Sequence, residues 1–351
     1  MAYPERTLFK PLNRVWPLVL VFTTRAPLAA PRPPYPVVDL HVDLSYQYNF
    51  KGKEFADPRG QFSIAALKRG GVEGVVLPLF VPRSASASGP RIEDLERSFL
   101  RVKDAVQHSS AFALGGCSND GHAVGTFFAF EGSGPLAAEP ASLEGWQSRG
   151  LRIVGLVHTY ANELASSSGD PEPKSFGLTE QGRAFTRKAF ELGLLVDVSH
   201  ASDRAVSDVL ALAKDAQGVV IATHSNARAI ADHPRNLSDD QLRAIAATGG
   251  VIGVNFHGPF LVRGRAATLR DVVTQIRHLT RVAGIDHVAI GSDFEGDIRP
   301  PPELADASRF PALSSALAQA GYSPDAIRKI FAENALRVLC PAPEPRSAVL
   351  Y

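Results

Sequence analysis

A parallel α/β architecture closed as a (β/α)8, TIM-type barrel, with a short extra helical segment at its C-terminal end, is what the 351-residue sequence predicts. Three observations carry the prediction. Eight short runs of β-branched and apolar residues begin between Val37 and His287. Amphipathic stretches separate them, as crossover helices separate parallel strands. Each run is apolar almost throughout, which suits strands buried on both faces. Eight is the number of strands that closes a barrel. The rival, an open doubly wound sheet, needs a glycine-rich turn after its first strand, and none follows here.

In chain order, the first run is VVDLHVDL from Val37, and the second is VEGVVLPLF from Val72. A helix follows, because Ile92, Leu95, Phe99, Val102 and Val106 recur at steps of three and four and share one face. Next come GTFFAFEG from Gly125, LRIVGLVHT from Leu151, LLVDVSH from Leu194 and GVVIATHS from Gly218. Ser238-Asp239-Asp240-Gln241 is a capping box that opens a helix through Leu242 and Ile245. The last two runs are GVIGVNFHG from Gly250 and HVAIGSDFEG from His287. Ser323-Pro324 then supplies an N-cap and a first-turn proline for a helix through Ile330.

Composition narrows the function classes. Lys and Arg number 37 against 36 Asp and Glu, with 45% hydrophobic and 21% charged residues. That excludes disorder over most of the chain and leaves no electrostatic footprint for nucleic acid. The longest apolar run, Val15 to Phe22, is eight residues and contains Pro17. A transmembrane span needs roughly 20, so none is expected. Residues 1–36 carry a charge of +4, from Arg6, Lys10, Arg14, Arg25 and Arg32 against Glu5. This basic, Pro-rich segment reads as an extension or as an export signal. Cytoplasmic residence is favoured unless residues 1–30 act as that signal. Residues 37–340 form the barrel domain, and 341–351 a tail. Cys117 and Cys340 stand in no metal-type spacing and read as two unpaired thiols. Nothing in the sequence excludes a homodimer.

Polar residues recur where the apolar runs finish. The first run ends in His41-Val42-Asp43, the third in Glu131, the fourth in His158, the fifth in His200, the sixth in His224 and the eighth in Asp293, while His257 follows the seventh. In a barrel these ends converge on one mouth, where catalytic groups sit. Taken singly, such a histidine is a hydrogen-bonded packing residue and such an acid a helix N-cap. Together, three carboxylates and four imidazoles in one mouth demand a counter-charge. His41 and Asp43, two apart on a strand, share a face and can bind one ion. Imidazole with carboxylate suits zinc, and seven candidate groups suit a two-metal site.

The stretches DLHVDL, FEG, GLVHTYANE, DVSHASDRAV, ATHSNARAIADHPRN, GVIGVNFHGPF, GSDFEG and AENALRVL run in this order from Asp39 to Leu339. In them the sequence resembles the membrane (renal) dipeptidase family of zinc metallopeptidases, within the amidohydrolase group of barrels. The resemblance implies a binuclear zinc dipeptidase acting on dipeptides with a free C-terminal carboxylate, through a water bridging two zinc ions per chain. It implies that His41 and Asp43 hold the first ion, Glu131 bridges, and His200 and His224 hold the second. Asp293 would move the proton toward the leaving amine. His158 would stabilise charge on the scissile carbonyl oxygen. Arg235, in HPRN, would pair with the substrate carboxylate, and Asn255, in GVNF, would also contact substrate. Without the resemblance Arg235 reads as a solvated loop residue. The family further implies tolerance of D-residues on the C-terminal side of the scissile bond. Glu295 stands where the family usually has Asp, at a position that is not a ligand. The ending PAPEPRSAVLY is unlike the lipid-anchor signal of animal members, so the family's name carries no location here. Two rivals remain: an amidohydrolase for another small amide such as an N-acyl amino acid, and a non-catalytic binding protein on the same barrel.

Overall fold

The computed structural model describes Met1 and residues 34–85, 89–117, 123–171 and 176–340. The expected N-terminal extension, apart from Met1 and residues 34–36, and the expected tail lie outside the described residues.

Nine strands are present among the described residues: β1 Val37–Asp39, β2 Val72–Leu79, β3 Phe112–Leu114, β4 Val124–Glu131, β5 Leu151–Gly155, β6 Leu195–Asp197, β7 Val220–Ile221, β8 Ile252–Val254 and β9 Val288–Ile290. Eight of them coincide with the eight predicted runs. Their order, β7-β6-β5-β4-β2-β1-β9-β8, is parallel throughout. The ring closes between β7 and β8 through one parallel bridge, Ala222 to Ile252. There Ala222 N donates to Val251 O at 2.9 Å and Gly253 N donates to Ala222 O at 2.7 Å.

The ninth strand, β3, was not expected. It pairs with Val124–Thr126 at the start of β4, before β5 takes over that edge at Phe128. With three residues and only Phe112 buried, it has no periodicity to read.

Two apolar layers result. One fills the space between strands and outer helices. It takes in Leu95, Phe99, Val102 and Val106 from helix Ile92–Gln107, the face predicted from spacing. The other is the barrel interior, with Val38, Val76, Phe127, Ala129, Ile153, Leu195, Ile221 and Ala289 from seven strands. Ala332, Ala335, Val338 and Leu339 of the C-terminal helical segment join this interior cluster and plug it. The segment begins at Pro324 with Ser323 capping Ala326 N, passes through a π-helical turn at Lys329–Glu333 and ends at Leu339.

The two cysteines correct an expectation. Cys117 and Cys340 are not unpaired thiols; they form a disulfide, with Cα atoms 5.4 Å apart. Their separation of 223 residues hid the contact. Closing the barrel brings the turn after β3 against the end of the plug. The inward alternation continues past the apolar interior. Phe127 and Ala129 lead to Glu131, Leu195 leads to Asp197, Ile221 to Thr223, and Ala289 to Asp293. The apolar filling therefore gives way to polar side chains at the C-terminal mouth.

Candidate metal centre

Seven side chains from six strand ends meet at that mouth. Glu131 Oε1 lies 3.0 Å from His200 Nε2, 3.5 Å from His41 Nε2, 3.7 Å from His224 Nε2 and 3.8 Å from His158 Nε2. His41 Nε2 is 3.6 Å from Asp43 Oδ2, and the Nε2 atoms of His200 and His224 are 2.9 Å apart. Three compact triads follow: His41–Asp43–Glu131, Glu131–His158–His200 and His41–His224–Asp293. Glu131 and His41 each belong to two. The expected ligands are thus brought together, with Glu131 central. His158 and Asp293, expected beside the ligands, stand within the same cluster.

These residues fit a metal ion. Donor atoms on one tetrahedral zinc lie roughly 3.3 Å apart, from bonds of about 2.0–2.1 Å, and the distances above straddle that value. His41 Nε2 is buried without a hydrogen-bond partner, which is costly unless a cation takes its lone pair. The electrostatics agree. Burial holds His41, His200 and His224 well below the ordinary imidazole range. Burial, then the Arg235 charge, pushes His158 down to about 3. Burial followed by neighbouring carboxylates pushes Asp43 and Glu131 well above the usual range. Asp293 is pushed up to about 7, chiefly by burial, against the lowering effect of its bond from Asn255 and of Arg235. A cation bound among these groups would offset the cost of ionising the buried acids and would use the imidazoles in their neutral form.

The backbone is adapted to this geometry. His200 and Asp293 adopt left-handed conformations, at φ 68° and 66°. Each costs of order 1–3 kcal/mol for a non-glycine residue and is characteristic of functional sites.

A cavity of about 330 Å³ opens on Asp43, Glu131, His158, His200, Arg235 and Asp293. Arg235 is buried, not a solvated loop residue, with its guanidinium 5.6 Å from the Phe260 ring centroid. His257 and Phe260 line the same cavity, and His257 Nδ1 accepts from Arg299 N at 3.1 Å. Asn255 does not line it. Its Nδ2 donates to Asp293 Oδ2 at 2.9 Å, and its Oδ1 accepts from His257 N at 2.6 Å. Glu295 Oε1 accepts from Phe62 N at 2.9 Å. A second cavity of about 790 Å³ adjoins the first, sharing Tyr46, Phe80, Glu131 and His158.

Sequence reasoning missed the layer behind the candidate ligands. Asp197 and Thr223 are buried and bonded to each other, Thr223 Oγ1 to Asp197 Oδ2 at 2.6 Å. They stand three residues and one residue before His200 and His224, so searching for carboxylates and hydroxyls beside candidate ligands would have found them.

Comparison with known proteins accords with this geometry. A protein encoded in the pqqA 5′ region of Klebsiella pneumoniae is 35% identical over 270 residues, covering 72% of this chain and 98% of that one. An uncharacterized dipeptidase of Schizosaccharomyces pombe is 28% identical, covering 87% of this chain and 80% of its own. The crystal structure of a metallo peptidase from Rhodobacter sphaeroides, liganded with a phosphinate mimic of the dipeptide L-Ala-D-Ala, superposes with a TM-score of 0.73 at 27% identity, covering 87% of this chain and 98% of that one. Residues 33–347, the whole barrel with its plug, match the membrane dipeptidase family, peptidase family M19. The chain belongs to that family and is a metal-dependent dipeptidase.

Proposed function

We propose that this protein hydrolyses dipeptides carrying a free C-terminal carboxylate, using two zinc ions held by His41, Asp43, Glu131, His200 and His224. The observation that carries the reading is the set of four imidazole Nε2 atoms within 3.8 Å of one Glu131 oxygen. Metal bound there supplies Lewis acidity and an activated water at neutral pH.

The chain's own residues do the rest. Arg235, its charge buried beside the centre, pairs with the substrate carboxylate through a bidentate fork. That contact directs the scissile carbonyl to the cluster and leaves the N-terminal residue facing the larger cavity. His158, open to the cavity and close to Glu131, donates to the carbonyl oxygen as charge develops on it. Asp293 receives a proton at Oδ1 or Oδ2 and delivers it to the leaving amine. Its carboxyl is oriented by the Asn255 amide, and its burial favours holding a proton, as a proton carrier requires. Asn255 acts through Asp293 rather than on substrate. The L-Ala-D-Ala mimic bound by the Rhodobacter enzyme supports acceptance of a D-residue on the C-terminal side.

One observation favours a second reading. The adjoining cavity of about 790 Å³ is large for a single amino-acid side chain and would admit the acyl group of an N-acyl amino acid. A panel of dipeptides and N-acyl amino acids, run with added zinc and then with chelator, tests both. Dipeptide hydrolysis that chelator abolishes and zinc restores is expected; hydrolysis confined to N-acyl amino acids favours the second reading.

A further inference from the structure

Two imidazoles assigned above to different ions meet at a single hydroxyl. Thr223 Oγ1 lies 2.8 Å from His224 Nδ1 and 3.2 Å from His41 Nδ1. Its third close neighbour is Asp197 Oδ2, at 2.6 Å. A threonine hydroxyl has one hydrogen and two lone pairs. Asp197 is an acceptor here: its Oδ1 takes the backbone N–H groups of Ser199 at 2.9 Å and Thr223 at 3.0 Å, and its Oδ2 is left for the hydroxyl. The Thr223 hydrogen therefore goes to Asp197. Both lone pairs then face ring nitrogens, and a lone pair can accept only from an N–H. The Ser199 hydroxyl, 3.4 Å away, is beyond the roughly 2.5–3.0 Å of a good hydroxyl bond and displaces neither ring.

The arrangement fixes both tautomers. His41 and His224 carry their protons on Nδ1, and both turn a bare Nε2 toward Glu131. Thr223 is held in place by close packing as well. A Cβ on Gly253 or Gly291 would come within 2.0 or 1.8 Å of its carbonyl oxygen, so the neighbouring strands reach it only because these residues have no side chain.

We propose that Thr223, anchored by Asp197, is a positioning residue shared by both metal positions, one hydroxyl setting the tautomer and orientation of a ligand to each ion. The inference rests on the metal reading of the site and is independent of the substrate.

The direct test is nitrogen NMR of the histidine rings in zinc-loaded protein, where both His41 and His224 should be protonated at Nδ1 and bound through Nε2. In parallel, zinc affinity is measured by chelator competition. Thr223→Val keeps the shape and removes the hydroxyl. It should weaken binding at both positions by about 10–100-fold, the usual effect of losing an outer partner. Thr223→Ser should recover most of the loss, which a purely structural role would not predict. Ligation of either ring through Nδ1 overturns the proposal. So does a Val variant with wild-type affinity, or a loss confined to one ion. If Thr223→Val does not fold, the ring protonation in the wild-type protein decides alone. A wild-type chain that takes up no zinc overturns the metal site itself, and this inference with it.

Discussion

Asp293 and Arg235 are the residues through which the proposed chemistry is most open to measurement. Asp293→Asn keeps the shape and the left-handed backbone but removes the base. We expect kcat to fall by at least ~10² with both metals retained; metal analysis of the purified variant separates this from a role as ligand, which its triad with His41 and His224 makes a real alternative. Arg235→Ala removes a charge-assisted contact worth ~1.5–3 kcal/mol, so kcat/KM on dipeptides should fall ~10–150-fold. Wild-type protein should prefer a dipeptide to its C-terminal amide, and the variant should narrow that preference. Equal wild-type rates on acid and amide would remove Arg235 from substrate recognition. At this scale the clustering of the candidate ligands was legible because each closes an apolar run. Arg235 was legible only through the resemblance, since nothing local distinguishes a buried arginine in HPRN from a solvated one. Asn255 was read one step too close to the substrate: a strand-end amide gives no sign of whether it faces a ligand or a neighbouring carboxylate.

At the scale of elements, the eight barrel strands could be read because each is a continuous apolar run, even though several are only two or three residues long in the folded chain. β3 could not, for the same physical reason inverted: one buried residue in three leaves no pattern. The capping box at Ser238 was predicted from four letters and is present, with Ser238 N donating to Gln241 Oε1 at 2.8 Å and Gln241 N donating to Ser238 Oγ at 3.3 Å. It starts helix Asp239–Ala247, directly after the loop that carries Arg235. That loop is pinned at its base, where Leu237 N donates to Asn226 O and Arg228 N donates to Leu237 O, both at 2.8 Å. Ser238→Ala should therefore cost about 1 kcal/mol in unfolding experiments. The effect on KM should be small, because the pinning of the loop is independent of the cap. A large rise in KM would mean that the cap, not the pairing at the base, positions Arg235.

For the whole molecule, the buried centre ties stability to metal and to pH. A carboxyl whose folded pKa is raised contributes stability that is present below its unfolded pKa and lost as pH rises through the folded value. Asp293 passes through that value at about 7, and Asp43 and Glu131 lie in the same direction. The lowered histidines act oppositely: their contribution is present above the unfolded value of about 6.5 and lost as pH falls below it. Between pH ~7 and 8 unfolded histidines are already mostly deprotonated, so the carboxyl effect predominates. Metal-stripped protein should lose Tm across this window while zinc-loaded protein holds it, because bound cations neutralise the acids. A gap between the two forms that stays constant from pH ~7 to 8 would contradict this account of the centre.

The disulfide between Cys117 and Cys340 makes most of the chain a ring. Joining residues 223 apart restricts the unfolded chain by on the order of 5 kcal/mol in chain-entropy terms. It does so at the bottom of the barrel, where the residue that follows the plug is tied to the turn after β3. Such bonds persist where thiols are kept oxidised and are lost where glutathione or thioredoxin reduces them. The protein therefore has two stabilities, set by the redox poise of its surroundings. With a reductant present, the plug is held by its packing and by hydrogen bonds such as those of Asn334 Nδ2 to Ile285 O and Val288 O, both at 2.8 Å, and Tm should drop without any change at the distant candidate metal centre. Comparing melting curves and zinc content with and without reductant reads the two effects separately.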